Sequence, residues 1–267
     1  MTARSEVTAW RPRLPGVVEV FHAHFTDHVY PSHTHAVWTL LIVDDGAVRF
    51  DLDRHQHGAL RSQVTLLPPH VPHDGRSATA HGFRKRVLYL DTSVWGEDLV
   101  GAAVDSPGWA DPLLRHRVDQ LHRVLADRRE PLAGESRLAF IRERLGQRLR
   151  HRDPLAAPPA TTPRDRLLAD RLRELLDASV VPGVTLQEAG RLLGAHPTHL
   201  VRAFSHRHGL PPHRYLTARR VELARGLLLD GRRPSDVAQA AGFYDQSHLN
   251  RHFTRMLGTS PARYAGR

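Results

Sequence analysis

The feature that most constrains this sequence is a pattern that occurs twice in its C-terminal part. Six residue types recur at an interval of 49 positions. The first set is Leu200, Arg202, Phe204, Gly209, Pro212 and Tyr215, and the second is Leu249, Arg251, Phe253, Gly258, Pro261 and Tyr264. A fixed interval of this kind indicates a repeated supersecondary unit. The sequence therefore predicts two similar helical units in tandem.

The second copy has the pattern of a helix, a tight turn and another helix. Pro234 suits a first helical position, because its missing N–H is not needed there. Gly242 and Phe243 interrupt the helix, and Asp245 can cap the next one. The next helix has an apolar stripe at helical spacing, and its opposite face carries side chains that match base edges in the major groove. These predicted DNA-binding residues are Gln246, Ser247, His248, Asn250 and Arg251.

The first copy has comparable signals with a turn one residue shorter. Thr185 and Glu188 predict a capping box, and the helix is expected to end at Gly194. A second helix is expected over 196–209, and one uninterrupted connecting helix over 211–229. The predicted DNA-binding residues of this copy are Thr198, His199, Val201 and Arg202. We therefore expect two DNA-reading helices on one rigid spacer.

The distribution of charge also favours nucleic acid as a partner. The net charge is +10, and residues 164–267 hold 17 arginines against 9 acidic residues. Residues 1–163 hold 21 basic and 19 acidic residues, so the excess lies in the half that carries the repeat. A basic surface attracts phosphates and predicts binding that weakens with salt. The alternative is a solvated arginine-rich surface, which would not by itself concentrate charge in one half.

The N-terminal half has a different pattern. Residues 17–90 contain short apolar or alternating runs separated by turn signals, which predicts an all-β sandwich or small barrel. Two apolar stripes at helical spacing follow, and they predict two helices joined near Pro131 and Gly134. These helices could cover the sheet or pair with a second subunit. Residues 1–16 lack a period and are expected to form an irregular arm, and the proline-rich segment 151–163 is expected to be a linker.

These residues resemble the AraC/XylS family of bacterial transcription regulators. The resemblance covers roughly the last hundred residues, and the run from Ala238 to Phe253 is its most specific part. It implies an all-α DNA-binding domain over 164–267, with two helix-turn-helix units joined by a long helix. Regulators of this kind place their two recognition helices in successive major grooves, about 34 Å apart.

The N-terminal half, 17–150, resembles the cupin-like effector and dimerisation domain that precedes the DNA-binding domain in many AraC-family regulators. The order of His33, His35, Gly46 and His73 carries this resemblance. The implied fold is multidomain: an all-β cupin-like barrel with appended helices, followed by the all-α domain. A homodimer, activation of transcription and contact with RNA polymerase are likewise implied by the family.

The histidines admit three interpretations. We expect His33, His35 and His73 to line an effector pocket that Trp38 and Tyr89 also border. The same histidines could hold a metal, because neutral imidazoles bind zinc, nickel, copper or iron. Metal-binding cupins also use a glutamate, however, and the sequence has apolar or hydroxyl side chains where it would stand. The third interpretation is that they have no site role, since the chain has 20 histidines.

The sequence therefore predicts a DNA-binding transcription regulator that responds to a small-molecule effector and acts on double-stranded promoter DNA. The alternative is a metal-dependent cupin enzyme fused to a DNA-binding domain. We expect no catalytic residues and no bound cofactor. The absence of cysteine excludes disulfides and thiolate metal sites. No apolar run reaches the length of a membrane span and no signal-peptide core is evident, so a soluble cytoplasmic protein is expected.

Overall fold

The computed structural model describes residues 6–126, 131–150 and 162–266. A β-rich N-terminal domain is followed by a helical C-terminal domain, as the sequence predicted. None of the helices formed by the described residues is long and apolar enough to cross a membrane.

The strands of the N-terminal domain form two antiparallel sheets. In chain order they are β1 (Glu6–Trp10), β2 (Val17–Phe25), β3 (Tyr30–His33), β4 (Trp38–Gly46), β5 (Val48–Leu52), β6 (His55–Ala59), β7 (Val64–Leu67), β8 (His73–Ser77), β9 (Phe83–Leu90) and β10 (Gly108–Trp109). One sheet has the order β1-β2-β9-β4-β7-β10, and the other has the order β3-β8-β5-β6. The prediction of an irregular arm over residues 1–16 was wrong for β1, which pairs with β2 in the register Glu6 to His24. Pairing at a sheet edge is a tertiary interaction that a five-residue run does not reveal.

Both faces of the larger sheet are covered, which explains the continuous apolar run in β4. Successive side chains of a strand point to opposite faces. Trp38, Leu40 and Ile42 lie in a core with the helices of the N-terminal domain. Leu41 and Val43 lie in a second core on the other face.

The helices of the N-terminal domain follow the sheets. A short 3₁₀ turn leads into α1 (Val100–Asp105), and α2 (Pro112–Ala126) and α3 (Pro131–Arg150) follow. Leu114, Leu121 and Ile141 are fully buried against the sheet, so these stripes cover their own domain. Gly134 lies inside α3, which corrects the predicted junction near that glycine. The connection between α2 and α3 is in residues 127–130, outside the described residues.

The C-terminal domain contains α4 (Pro163–Ala178), α5 (Leu186–Leu193), α6 (Pro197–His208), α7 (Pro212–Leu229), α8 (Pro234–Ala240), α9 (Gln246–Leu257) and α10 (Pro261–Tyr264). The hydroxyl of Thr162 caps α4 at the N–H of Asp165. The helical domain therefore begins slightly before the predicted residue 164. Most of the predicted linker, residues 151–161, lies outside the described residues.

The two halves of the helical domain are packed differently. The first half has its own core, which includes Leu172, Phe204 and Tyr215. The second half shares a core with the N-terminal sheet, since Leu249 and Phe253 belong to the same cluster as β-strand residues. The second helical unit, α8 to α9, is therefore anchored on the N-terminal domain.

Candidate functional site

The first unit, α5 to α6, has the capping signals that the sequence predicted. Thr185 and Glu188 form a reciprocal capping box at the start of α5. Gly194 ends that helix in the left-handed conformation, and α6 begins at Pro197. Local capping chemistry thus fixes the turn between the two helices.

The second unit, α8 to α9, turns at Gly242, as predicted. This glycine has a φ of +79°, and a Cβ there would lie 2.7 Å from the carbonyl oxygen of Val181. Only glycine combines that conformation with so close an approach of the backbone. Asp245 then caps α9 by accepting a hydrogen bond from the N–H of His248 at 2.7 Å.

The predicted DNA-facing side chains form one accessible face on each recognition helix. On α9 the exposed members are Gln246, Ser247, Asn250 and Arg251, and on α6 they are Thr198, His199 and Arg202. Val201 and His248 are half-buried. The side chains of Arg202 and Arg251 make no hydrogen bond or ion pair with the other described residues. Their guanidinium groups are therefore available for bases or phosphates.

Both predicted DNA-facing histidines are held by contacts within the protein. His199 Nε2 lies 2.7 Å from Asp165 Oδ1 of α4. This contact, with a further hydrogen bond from Thr162, lowers the pKa of Asp165. The His248 ring packs on Phe243, and its Nδ1 accepts a hydrogen bond from the Tyr244 N–H. Both histidines contribute to the structure of their unit.

The three histidines expected in the N-terminal pocket do come together. His33 on β3 is directly opposite His73 on β8, and His35 lies in the segment after β3. One ring nitrogen from each lies within 4.8 Å of the other two. All three side chains are buried. They line a cavity of about 40 Å³, together with Tyr89, as predicted, and Lys85.

Each of these imidazoles has an oxygen partner at Nδ1. His33 Nδ1 is 2.7 Å from the Pro31 carbonyl, and His73 Nδ1 is 3.0 Å from the Val71 carbonyl. His35 Nδ1 is 3.2 Å from Glu222 Oε1, on α7 of the C-terminal domain. Because a carbonyl oxygen only accepts, the Nδ1 atoms of His33 and His73 carry the proton. Their Nε2 atoms therefore carry lone pairs.

The electrostatics of this cavity favour neutral side chains. Burial is the main cause that lowers the pKa of His73 to about 4, and it lowers the pKa values of His33 and His35 as well. Burial, followed by the charge of Arg225, lowers the pKa of Lys85 to about 7. Near neutral pH the histidines are uncharged and part of the Lys85 population is a free amine.

Trp38 does not border this cavity, contrary to the sequence prediction. Its side chain is fully buried on the opposite face of β4 and donates a hydrogen bond from Nε1 to the Trp95 carbonyl at 3.1 Å. Alternation along the strand puts Thr39 and Leu41 on the cavity side instead. Trp38 and Thr39 are adjacent in the strand and therefore point to opposite faces, so an error of one position assigns the wrong side chain to the cavity.

A larger cavity lies between the two domains. Its volume is about 300 Å³. Apolar side chains from β2, the segment before β4 and α7 line it, and so do three ion-paired arginines; these residues are Val18, Val37, Leu223, Leu227, Arg11, Arg219 and Arg225. The sequence did not indicate this site, because it forms only when α7 meets segments that lie about 190–210 residues earlier in the chain. Its volume reaches the range of small-molecule sites, whereas 40 Å³ does not.

Buried polar contacts join the domains beside this cavity. Arg225 Nη2 donates to Glu19 Oε1 of β2 at 2.5 Å, and the Tyr264 hydroxyl donates to the same oxygen. The Arg225 guanidinium also lies 4.1 Å from the centre of the Tyr89 ring. Glu222 accepts the Ala36 N–H at 2.8 Å in addition to its contact with His35. Residues of α7 and α10 thus connect the helical C-terminal domain to the N-terminal domain.

Each half of the chain matches a known domain family. Residues 15–140 match the family described as an AraC-like ligand binding domain, and residues 190–267 match a helix-turn-helix domain. Together these matches support an AraC-type regulator with an N-terminal effector domain. The chain is a DNA-binding regulator with an N-terminal ligand-binding domain, as the sequence predicted.

Two related sequences support this assignment, and one solved structure has a similar fold. An uncharacterised helix-turn-helix transcriptional regulator, YbfI of Bacillus subtilis (strain 168), is 29% identical over 229 residues, which cover 82% of this chain and 81% of YbfI. The virulence regulon transcriptional activator VirF of Yersinia enterocolitica is 29% identical over 94 residues, or 35% of each chain. The structure of unsaturated fatty acid-bound ToxT from Vibrio cholerae strain SCE256 superposes with a TM-score of 0.59 at 12% identity, over 99% of this chain and 97% of ToxT.

Proposed function

We propose that this regulator is controlled by a small molecule that binds in the interdomain cavity and changes how α9 is presented to DNA. The observation that carries this proposal is the position of α7. Its residues Leu223 and Leu227 line the cavity, and the same helix joins the two recognition units. A ligand in the cavity therefore contacts the spacer on which both units depend.

The lining favours an amphipathic carboxylic acid as the effector. Aliphatic side chains from both domains suit an apolar body, and the guanidinium groups of Arg219 and Arg225 suit a carboxylate. ToxT, which has a similar fold, has been crystallised with an unsaturated fatty acid. A ligand carboxylate would compete with Glu19 or Glu222 for these arginines. Binding at Arg225 would exchange its interdomain contact with Glu19 for a ligand contact, which couples the cavity to domain docking.

We assign the sequence reading to the exposed faces of α6 and α9. On α9, Gln246, Ser247 and Arg251 would contact bases, with Asn250 beside them. On α6, Arg202 is the best base-reading candidate, and Val201 could make only an apolar contact. The protein contacts of His199 and His248 support positioning roles for both, and Thr198 would reach the backbone or a base edge.

Activation, contact with RNA polymerase, a homodimer and a cytoplasmic location complete the proposal. VirF is named as a transcriptional activator, which supports activation over repression. The family resemblance supports the polymerase contact and the dimer.

The test uses full-length protein and the matched pair decanoic acid and decanol. Decanoic acid should raise the thermal midpoint and change the affinity for a selected DNA site, because only the acid carries the anionic group. Leu223→Trp and Leu227→Trp fill the cavity and should remove both effects. Leu60→Trp, at a 48% exposed position of the N-terminal domain, should leave them intact. Equal responses to acid and alcohol, or a full response in both cavity variants, would rule out this effector site.

A further inference from the structure

We propose that His33, His35 and His73 bind one divalent transition-metal ion, such as Zn²⁺, and that Glu222 of the DNA-binding domain holds the His35 ligand in place. The sequence predicts no bound cofactor. The geometry instead favours the metal-binding interpretation of these histidines. The metal would occupy a different cavity from the proposed organic effector, and Glu222 connects the two because it lines the larger cavity and contacts His35.

The donor set has the composition of a zinc-type site. Three buried imidazoles each offer a nitrogen within 4.8 Å of the other two. Zn–N bonds of about 2.0–2.1 Å in tetrahedral geometry place the ligand nitrogens about 3.3 Å apart. Side-chain rotations that shorten each N···N distance by about 1.5 Å or less would therefore form the site. Three protein ligands leave a fourth position for water or another small ligand.

The hydrogen bonds at Nδ1 leave Nε2 as the nitrogen of each ring that can bind a metal. The carbonyls of Pro31 and Val71 fix the Nδ1–H tautomer of His33 and His73. Within the described part of the chain, no hydrogen bond engages Nε2 of His33, His35 or His73. Metal-ligating histidines characteristically donate their other ring N–H to a carbonyl or carboxylate. All three residues of the cluster have that arrangement.

The size of the cavity separates an ion from an organic ligand. A volume of about 40 Å³ holds about three water molecules. An ion and one water fit this space, and most small-molecule effectors do not.

Glu222 makes this site depend on the domain interface. Its Oε1 contacts His35 Nδ1 and accepts the Ala36 N–H, while Oε2 pairs with Arg219 on the same helix. A carboxylate behind a ligating histidine orients the ring and raises its basicity. Coupling between two binding events is reciprocal, so an ion at His35 also strengthens the contact of Glu222 with the N-terminal domain. Metal occupancy would thus favour the docked arrangement of α7.

The first experiment measures Zn²⁺ binding to untagged, chelator-treated full-length protein, by competition with a chromophoric chelator. We expect one tight site per chain. His33→Gln and His73→Gln should each weaken it by about 100-fold or more, since loss of a ligand exceeds the 10–100-fold typical of an outer partner. His24→Gln, outside the cluster, is the matched control. Absence of a stoichiometric site, or equal effects of the three variants, would overturn the proposal.

The second experiment tests the positioning role of Glu222. Glu222→Gln should weaken Zn²⁺ by about 10–100-fold and shift the visible absorption of Co²⁺ bound in the same site. Asp230→Asn is the control, because it removes the interdomain ion pair with Arg11 from the end of α7 without approaching a histidine. An unchanged affinity in Glu222→Gln, or an equal loss in Asp230→Asn, would refute the role of Glu222. This experiment measures only the Zn²⁺ affinity and the Co²⁺ absorption spectrum. A negative result would therefore refute this part of the metal proposal without testing the effector proposal.

Discussion

Replacing Arg225 by methionine should destabilise the docked protein far more than replacing Arg11 does. Both arginines form interdomain ion pairs. The side chains of the Arg225–Glu19 pair are 5% and 6% exposed, whereas those of the Arg11–Asp230 pair are 43% and 48% exposed. Removing one partner of a buried pair leaves an uncompensated charge and costs about 3–5 kcal/mol. An exposed pair contributes about 0–1 kcal/mol.

A double substitution separates the free-energy cost of the unpaired buried charge from the cost of the other lost contacts. Glu19→Leu with Arg225→Met removes both charges and leaves the Tyr264 hydroxyl without its acceptor and its donor. A buried unsatisfied hydroxyl costs about 1–3 kcal/mol, so the double variant should be more stable than Arg225→Met alone.

Urea unfolding monitored by tryptophan fluorescence and by circular dichroism measures these free energies. Agreement of the two probes is required before a single value is assigned to a two-domain protein. Equal losses in Arg225→Met and Arg11→Met, or a double variant less stable than Arg225→Met, would refute the reasoning.

Four other substitutions or conditions test separate parts of the structure. Arg251→Ala should weaken binding to the selected DNA site by about 1–3 kcal/mol and binding to random DNA by much less, as measured by titration of the protein with each DNA. Equal losses on both DNAs would mean that Arg251 contacts phosphates and not bases. Phe253→Ala should cost about 3–5 kcal/mol in urea unfolding, because it leaves a cavity in the shared core; a loss below 1 kcal/mol would contradict that packing. Gly258→Ala should be more destabilising than Gly194→Ala, since both positions have positive φ but only the first would clash, at 2.5 Å from a ring carbon of β2; equal losses would contradict the interdomain contact. Burial lowers the pKa of His208 to about 4, so its contribution to stability is complete above pH 6.5 and falls by roughly 3 kcal/mol as the pH drops to 4; His208→Gln should lessen this dependence in urea unfolding, and an unchanged pH profile would contradict it.

The helical units could be predicted because their signals are local. The capping residues Thr185 and Asp245 and the glycines at 194 and 242 act within a few residues of themselves. The sequence alone shows such spacing, and the structure has the predicted turns at these positions. The exposed faces follow from helical periodicity in the same way.

The errors and omissions concern contacts between distant segments. Trp38 was assigned to the wrong face because the register of a strand buried on both sides has no alternation to reveal it. Glu19 and Glu222 received no site role, since each acquires its partners across about 190 or more residues of sequence. The order of His33, His35 and His73 indicated a cluster, and only the structure gives the carbonyl and carboxylate partners that fix their tautomers.

The measurement that tests the central claim most directly is selection of bound DNA from a random duplex library by the full-length protein. The two recognition helices predict enrichment of one motif with two short blocks, separated by about one helical turn of 10 base pairs. Binding without an enriched motif, lost at moderate salt, would reduce the DNA contact to phosphate attraction and contradict sequence-specific regulation.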